Sequence, residues 1–418
     1  MRIFKFGGAS VKDAEAIKNV AEIISRFTDR PLIVIVSAMA KTTNALEEVV
    51  KAWVNRTGDA EHLFLEKVIA FHQPIVNQLF DRIPEQLSTF ISDLIVEVST
   101  LVNEEPPANY GQAYDAIVHK GELLSTRIIN EYLLSIGQQS IWTDTRELVI
   151  TNNSHRRATV NWVDTSAHIK AAIIEPSIYL VQGFIGSTKE GVPTTLGREG
   201  SDYTASVFAK ILGADEVTIW KDVPGVLNGD PKVFNNTTLL EEISYREAIE
   251  LAYYGASVIH PKTIQPLQES GIPLYVKSFL NPDEKGTVIG KGLLLSPLVS
   301  CFILKTNQAL LTISTRDLAF IVEEHLQLIY SIFHQHGLTV NTMQNSAISS
   351  SFCVNNDPNI LPKVLYELNH HFDVKMNTDV ELYTIRHHSQ QTIEAIKGNS
   401  QALLEQVTRE TYQVVLKN

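Results

Sequence analysis

The alternation of short apolar runs with helical segments constrains the fold of this chain most strongly. Residues 32–36, 178–181 and 217–220 form runs of five residues or fewer that are rich in β-branched and aromatic side chains. Between such runs, residues 13–27 and 201–212 carry apolar side chains at the three- and four-residue spacing of an amphipathic helix. Continuous apolar strands alternating with helices are typical of βαβ units around a buried parallel sheet.

Composition narrows the class of protein further. The 418 residues include 47 acidic and 35 basic side chains, for a net charge of −12, which argues against nucleic acids or anionic membranes as partners. The two cysteines, Cys301 and Cys353, have no metal-ligand spacing and are interpreted as core thiols. The start of the chain has no signal-peptide pattern, and no apolar run is long enough for a membrane span. We expect a cytoplasmic small-molecule enzyme of two or three domains.

The pattern along the chain predicts two regions that differ in class. Residues 64–117 have few strand signals and several amphipathic repeats, which indicates a helical insertion at the rim of the sheet. Residues 310–385 read as β-α-β-β-α-β, the order of a small independent α+β domain. The tail, with a predicted helix over 401–407 and a strand over 413–416, is too short to repeat that unit in full. We place the domain boundary near residue 295.

The first motif follows a short apolar strand and reads Lys5-Phe-Gly-Gly-Ala-Ser10. Paired glycines allow backbone N–H groups to approach a phosphate closely, and Lys5 offers a point charge. The spacing is not that of a Walker loop. A Gly-Gly turn beside an edge lysine explains the same residues, so this motif alone leaves both interpretations open.

The second motif places Arg198 and Asp202 four residues apart, with Gly197 and Gly200 on either side of the predicted bend. Both side chains can face one ligand from the loop and the first helical turn. The structural alternative is a helix capped by Ser201 or Asp202, with a surface ion pair of small energetic value. The glycines beside Arg198 favour the functional interpretation.

The third motif, residues 221–232, follows a buried strand and holds two lysines and two aspartates in twelve residues. These charges could frame the ribose and phosphates of a nucleotide, although Pro-Gly turn chemistry alone also explains the segment. Several histidines lack the spacing of metal ligands and are interpreted as surface or packing residues: His260, His370, His371, His387 and His388.

Together, these motifs resemble those of the aspartate kinase family within the amino-acid kinase superfamily. Six segments match family motifs in the family's order: 5–10, 37–44, 121–123, 195–204, 221–232 and 255–261. Any one match could arise by chance, but six in order are specific, and the resemblance covers nearly the whole chain. The last region resembles an ACT module, which binds amino-acid effectors in such enzymes.

This resemblance implies a fold and an activity. Residues 1–294 would form a three-layer α/β amino-acid kinase domain with a mostly parallel central sheet. Residues 295–418 would form an α+β, ferredoxin-like ACT regulatory region, with one complete unit at about 305–385 and an abbreviated second unit. The implied reaction transfers the γ-phosphoryl group of ATP to the side-chain carboxylate of L-aspartate, as the first step toward lysine, threonine and methionine.

The family's site residues carry over position by position. The resemblance implies catalytic roles for Lys5 and Asp202, and it implies substrate contacts from Ser37, Thr43, Glu122, Arg198 and Ser201. It implies an ATP site made by Lys5, Gly7, Gly8, Ser10, Lys221, Asp222, Leu227, Asp230, Lys232 and Ser257. In this scheme Mg²⁺ is held chiefly by the ATP phosphates, and no protein residue is assigned as a metal ligand.

The chain departs from the family pattern at several positions. Ala9 replaces a threonine, Glu199 replaces a glycine, Leu227 stands where an aromatic residue often packs on adenine, and Ser257 stands where a lysine is common. We expect Lys221 or Lys262 to supply the missing charge. In the ACT region, two stretches correspond to those that contact the effector in lysine-sensitive relatives: Glu323, Glu324 and His325, and residues 338–341. The charged residues of the first stretch predict weak or altered feedback by lysine or threonine. We also expect a homodimer joined through ACT sheets.

Two alternatives remain from the sequence. The chain could be another amino-acid kinase, acting on glutamate, acetylglutamate or a nucleotide monophosphate, although Glu122, Arg198 and the ACT tail favour aspartate. It could also be a non-catalytic amino-acid sensor on a degenerate kinase fold, which the retention of Lys5 and Asp202 disfavours. A fused homoserine dehydrogenase is not expected, because no Gly-x-Gly-x-x-Gly unit follows the ACT region.

Overall fold

The computed structural model describes residues 1–256, 259–317 and 319–417. The chain divides into two compact units. The first comprises Met1–Val226, Leu239–Ile249 and Ile259–Leu295, and the second comprises Leu227–Thr238, residues 250–256 and residues 296–417. Ser257, predicted for the ATP site, therefore lies outside the described residues.

The helices and strands follow the alternation that the sequence predicts. The helices are α1 Ala14–Ser25, α2 Thr42–Asn55, α3 Ala60–Phe64, α4 Ala70–Leu79, α5 Glu85–Asn103, α6 Tyr110–Ser135, α7 Thr145–Leu148, α8 Trp162–Ala172, α9 Gly200–Leu212, α10 Tyr245–Tyr254, α11 Pro261–Ser270, α12 Glu323–His336, α13 Leu361–His371 and α14 Gln390–Lys397. A 3₁₀ turn at Gly8–Val11 follows the first strand, and a π-helical turn at Leu65–Ile69 joins α3 to α4.

The strands are β1 Arg2–Phe6, β2 Leu32–Val36, β3 Ser140–Thr143, β4 Ile178–Gln182, β5 Ile185–Ser187, β6 Pro193–Thr195, β7 Glu216–Lys221, β8 Val226–Leu227, β9 Leu239–Leu240, β10 Glu242–Ser244, β11 Leu274–Ser278, β12 Thr287–Gly290, β13 Cys301–Ser314, β14 Val340–Asn345, β15 Ser349–Asn355, β16 Asp373–Arg386, β17 Gln401–Val407 and β18 Thr411–Lys417. The three apolar runs singled out from the sequence form β2, β4 and β7, and the helical insertion is confirmed as α3 to α6.

The first unit is built on an eight-stranded sheet in the order β10-β12-β11-β7-β1-β2-β4-β3. All neighbouring pairs are parallel except β11 with β12. Strand β1 lies near the middle, with Lys5 level with Ile35 on β2 and with Ile219 on β7. The mostly parallel central sheet predicted from the sequence is confirmed.

The alternation of side chains along β1 decides which way Lys5 points. Phe4 and Phe6 are fully buried in a core cluster that includes α1, α2, α5 and α6. Successive side chains of a strand point to opposite faces, so Lys5 points to the face covered by α9, which packs against β1, β2 and β7. A lysine in a buried central strand is therefore aimed at a helix N-terminus.

The second unit contains a six-stranded antiparallel sheet in the order β14-β15-β13-β16-β18-β17. Helices α12 and α13 pack on one end through a core that includes Leu311 and Phe352. Ile393 and Ile396 of α14 pack on the other end against Ile385 and Val414. The β-α-β-β-α-β order predicted for residues 310–385 is confirmed.

The prediction for the tail is wrong in one respect. Residues 401–407 form strand β17 rather than a helix, because they pair with β18 and extend the sheet. The helix of this region is α14, which was not predicted and has no fully buried side chain. Among the described residues, no helix is both long and apolar enough to cross a lipid bilayer.

Candidate active site

A cavity of about 470 Å³ opens at the carboxyl ends of the central strands of the first unit. In parallel sheets this edge faces helix N-termini, where free N–H groups and the helix dipole favour anions. The lining residues are Lys5, Gly8, Ser37, Ala38, Ala40, Thr43, Tyr114, Glu122, Arg156, Phe184, Gly197, Arg198, Glu199, Gly200, Ser201, Asp202 and Lys221. Nine of the residues predicted from the sequence meet here.

A buried ion cluster lies at the base of this cavity. The Nζ atom of Lys5 is 2.6 Å from Oδ1 of Asp202, and these side chains are 11% and 3% exposed. The Nζ atom of Lys221 is 3.9 Å from the other carboxylate oxygen of Asp202. The Lys5 contact is a close ion pair without the alignment of a hydrogen bond, since Oδ1 has no hydrogen-bond donor among the described residues. The carboxylate of Asp202 thus contacts two ammonium groups at the N-terminus of α9.

The structure gives Gly8 a steric role. A Cβ atom on Gly8 would lie 2.8 Å from the carbonyl oxygen of Ala38 and 2.9 Å from that of Ala40, so any side chain would push the two loops apart. Gly8 lines the cavity, whereas Gly7 and Ser10 do not. The hydroxyl of Ser10 is buried and donates to the carbonyl oxygen of Trp220 at 3.3 Å, which fixes the 3₁₀ turn to β7.

Glu122 is a buried carboxyl group that faces the cavity from α6. Its side chain is 2% exposed, and Oε2 has no hydrogen-bond partner among the described residues. Burial raises the pKa of Glu122 to about 8, although a backbone hydrogen bond from Ala38 and the charge of Lys5 act in the opposite direction. A buried carboxyl group with one oxygen unpaired, in a polar cavity, is suited to an ammonium group supplied by a ligand.

The loop before α9 excludes the structural alternative for the second motif. The helix begins at Gly200, and its N-cap is Glu199 without a capping side chain, so neither Ser201 nor Asp202 caps it. Asp202 pairs with Lys5 and Lys221 instead of forming the Arg198 pair of the structural alternative. The first-turn N–H groups of α9 consequently keep no side-chain cap and face the cavity that Arg198 and Ser201 line.

Glu199 stands where the resembled family has glycine, and the backbone there has φ 52° and ψ 31°. This left-handed conformation is unfavourable for most side chains and costs about 1–2 kcal/mol. Four cavity-lining residues other than glycine share positive φ: Ala40, Arg156, Phe184 and Glu199. Backbone strain tends to gather where ligands bind.

The remaining predicted residues are not part of this cavity. Asp222 is exposed in the first unit, and Leu227, Asp230 and Lys232 belong to the second unit. Asp230 closes a turn by accepting a hydrogen bond from the Lys232 backbone N–H at 2.9 Å. Ser257 lies outside the described residues.

Lys262, which was expected to supply charge, is engaged locally. Its ammonium group donates to the carbonyl oxygen of Leu196 at 3.0 Å and lies 4.4 Å from the ring centroid of Tyr203. Burial lowers the pKa of Lys262. It therefore anchors the loop before Arg198 onto α9.

Sequence reasoning missed several residues of the cavity, namely Arg156, Tyr114, Phe184 and Ala40. Ala40 lies within the matched segment 37–44 but was assigned no role, whereas the other three belong to no motif with recognisable spacing. Arg156 comes from a segment that is distant in sequence. The signal available was the pair Arg156-Arg157 after three polar residues in the loop between α7 and α8, but surface loops carry such pairs commonly. Within residues 1–256, 259–317 and 319–417, no group of three or more His, Cys, Asp or Glu side chains could hold a metal ion.

Comparison with known proteins places this geometry in a family. Residues 1–278 match the Amino acid kinase family. The chain is 34% identical over 373 residues to the chloroplastic aspartokinase 1 of Arabidopsis thaliana, an alignment that covers 86% of this chain and 64% of that protein. It is 33% identical over 356 residues to the lysine-sensitive aspartokinase 3 of Escherichia coli K12, covering 83% and 76%.

A solved structure gives the same result. The fold is similar to E. coli aspartokinase III in complex with aspartate and ADP, with a TM-score of 0.83 and 26% identity, covering 100% of this chain and 96% of that one. The chain spans just under two thirds of the Arabidopsis relative's length. The buried Lys5–Asp202 pair, the uncapped start of α9 at the cavity and these likenesses agree, and the chain belongs to the amino acid kinase family, among its aspartokinases.

Proposed function

We propose that this chain transfers the γ-phosphoryl group of ATP to the side-chain carboxylate of L-aspartate, giving 4-phospho-L-aspartate. One observation carries the proposal. The Lys5–Asp202–Lys221 cluster lies in the same cavity as the unpaired carboxyl group of Glu122 and the guanidinium of Arg198. That set offers cations for phosphate and carboxylate groups and an acceptor for an ammonium group, which are the groups of ATP and an acidic amino acid.

The chemistry needs cations more than it needs a base. An oxygen of the substrate carboxylate attacks the γ-phosphorus, a new P–O bond forms, and the bond to the β–γ bridging oxygen breaks as ADP leaves. The carboxylate is already ionised at neutral pH, so no proton has to be removed. The barrier is the repulsion between two anions and their alignment, and fixed ammonium groups and backbone N–H groups lower it.

The cavity residues predicted from the sequence have the following roles in this proposal. Lys5 neutralises the phosphoryl group in transfer, and Asp202 holds the Lys5 ammonium in position. Glu122 accepts the substrate ammonium, and Arg198 binds a substrate carboxylate. Ser37, Thr43 and Ser201 line the cavity as hydrogen-bonding groups.

The ATP site of the proposal rests on the family resemblance for most of its members. Lys221 lies beside Asp202, and the Gly8 loop borders the cavity. Gly7, Ser10, Asp222, Leu227, Asp230, Lys232 and Ser257 are assigned to ATP by resemblance. Mg²⁺ would enter with ATP and neutralise its phosphates. Besides phosphate oxygens and water, this ion typically binds one or two carboxylates. The exposed carboxylate of Asp222 would be a ligand of that kind.

The regulatory part of the proposal concerns the second unit. We propose residues 1–294 as the catalytic domain and residues 295–418 as an ACT region that binds an amino-acid effector and joins two copies. The E. coli relative is named lysine-sensitive. Glu323 and Glu324 begin α12, where they add negative charge to the predicted effector stretch, so lysine or threonine feedback should be weak or altered. The cytoplasm is the proposed compartment, since the two cysteines are buried and no disulfide joins them.

The test is an ADP-release assay with Mg-ATP and L-aspartate, run beside L-glutamate, with hydroxylamine trapping of the acyl phosphate. Lys5→Ala should abolish the aspartate-dependent rate. Lys12→Ala, an exposed lysine outside the cavity, is the matched control and should keep it. Turnover that prefers glutamate, or that survives in Lys5→Ala, would reject the proposal.

A further inference from the structure

We propose that Arg156 is a specificity residue of this site and binds the carboxylate of the amino-acid substrate that does not react. The inference rests on the proposed function and adds a second guanidinium to the one contributed by Arg198. Arg156 belongs to none of the motifs that resemble the family. Its role follows from where the structure places its side chain.

The guanidinium of Arg156 is held in a defined orientation. It stacks over the ring of Tyr114 at 4.5 Å from the centroid, with the ring of Tyr110 at 5.5 Å. Its contact with Glu47 is loose, with 3.7 Å between Nη2 and Oε1, and the arginine side chain is 47% exposed. A guanidinium stacked on an aromatic face keeps its edge N–H groups available for two parallel hydrogen bonds to a carboxylate. Both Arg156 and Tyr114 line the cavity.

The backbone at Arg156 is unusual for an arginine. Its φ is 65°, in the left-handed region that glycine and asparagine prefer. A half-exposed ion pair at 3.7 Å is a weak compensation for such a conformation. The surrounding structure imposes it instead, which points to a constraint at a binding site.

A buried carboxylate imposes that constraint. Asp115 on α6 is fully buried and accepts hydrogen bonds from the His155 ring at 2.8 Å, from the Arg156 backbone N–H at 3.1 Å and from the Thr195 hydroxyl at 2.6 Å. Thr195 lies three residues before Arg198. Asp115 therefore ties both arginine-bearing loops to one helix.

The two loops also touch directly. Gly197 has φ 80°, and a Cβ atom there would lie 3.0 Å from the carbonyl oxygen of Arg156. Helix α6, to which Asp115 ties both loops, also carries Glu122. One helix thus ties together the loops that carry Arg156 and Arg198 and also carries Glu122, an arrangement complementary to the carboxylates and the ammonium group of an acidic amino acid.

The contacts of Arg156 separate it from the phosphoryl-transfer end of the cavity. Lys5 contacts Asp202, whose other oxygen faces Lys221. Arg156 shares none of these contacts and instead meets Tyr114 and Glu47. The reacting carboxylate must lie near Lys5, so the carboxylate near Arg156 is the α-carboxylate.

The experiment pairs a variant with a substrate analogue. In Arg156→Gln, KM for L-aspartate should rise by about 10- to 100-fold, the range for a charge-assisted pair, while kcat and the KM for ATP stay within about 3-fold. The analogue is L-aspartic acid α-amide, which lacks the α-carboxylate charge and keeps the reacting group. The ratio of the KM for this amide to the KM for L-aspartate should be large in wild type. In Arg156→Gln the same ratio should be at least about tenfold smaller.

The control is Arg157→Gln, which removes the neighbouring exposed arginine outside the cavity and should leave every parameter unchanged. Calorimetric titration of both ligands into each protein without ATP separates the two proposals. If L-aspartate binds but is not phosphorylated, the proposed function fails and the binding ratios still test Arg156. Equal discrimination against the amide by wild type and Arg156→Gln, or no binding of L-aspartate to wild type, would overturn the inference.

Discussion

The buried carboxyl group of Glu122 makes aspartate binding depend on pH in a direction that can be worked out. Its pKa is about 8 in the ligand-free protein, against an ordinary value of 4.5. Between these values the folded protein keeps a proton that the unfolded chain has lost, so folding stability falls as pH rises through this window. The group must then ionise to accept the substrate ammonium, and binding should release a proton.

The size of the effect follows from the ionised fraction. With a pKa of about 8, roughly 1% of Glu122 is ionised at pH 6, roughly 10% at pH 7 and about half at pH 8. If only the ionised form binds, KM for aspartate should fall about 50-fold from pH 6 to pH 8. At pH 7, about 0.9 proton should be released for each aspartate bound.

Initial rates at saturating Mg-ATP across this range measure the slope, and calorimetry in buffers of different ionisation enthalpy counts the protons. Glu122→Gln keeps the shape of the side chain without the charge, so its KM should be high and flat with pH. A KM that does not change from pH 6 to pH 8 in wild type would refute the reasoning. So would the same slope in Glu122→Gln, because another group would then be titrating.

Three further predictions concern charge, backbone and core. Lys5→Met should lower kcat by about 10²- to 10³-fold. It should also lower the free energy of unfolding by about 3 kcal/mol, because the buried carboxylate of Asp202 then keeps only the 3.9 Å contact with Lys221. Adding Asp202→Asn should restore stability without restoring turnover, and urea titration with rate measurements checks both. Glu199→Gly should raise the free energy of unfolding by about 1 kcal/mol, because φ 52° suits glycine, and a lower midpoint in urea would contradict this. Leu311→Ala, at a fully buried position, should lower the free energy of unfolding by about 3 kcal/mol, as measured by thermal or urea unfolding. Leu298→Ala, at a position that is 75% exposed, should change this free energy by less than about 0.5 kcal/mol. Equal effects of the two substitutions would refute the core assignment.

Much of the fold could be predicted because its signals are local. Burial on both faces makes parallel strands continuously apolar, as in β2, and an amphipathic stripe marks α1. The error at β17 arose where these signals were weak. Its residues alternate imperfectly around a bulge between Ala402 and Leu404, and its pairing with β18 decides the structure. Ser389, which caps α14 and bonds Thr392 in return, was the overlooked local signal.

The site was predictable only where chemistry follows from a motif. Lys5 and Asp202 lie nearly two hundred positions apart in the sequence. Only their resemblance to two motifs of one family predicted that they share a site. Arg156 could not be found in this way, because its place in the cavity depends on Asp115, a residue on another element. The structural alternative, in which Asp202 caps a helix, does not hold, since a buried lysine from β1 takes the same carboxylate.

Strands β13 and β16, fourteen residues each, run through both ends of the C-terminal sheet. Leu310 and Cys353 from one end share a buried cluster with Leu382 and Val415 from the other. A protein engineer could not excise the complete βαββαβ repeat as a free-standing module. A fragment ending after β16 would lose β18 and expose an apolar strand edge and face, which favours aggregation. Any transplanted regulatory module should therefore carry the chain through β18.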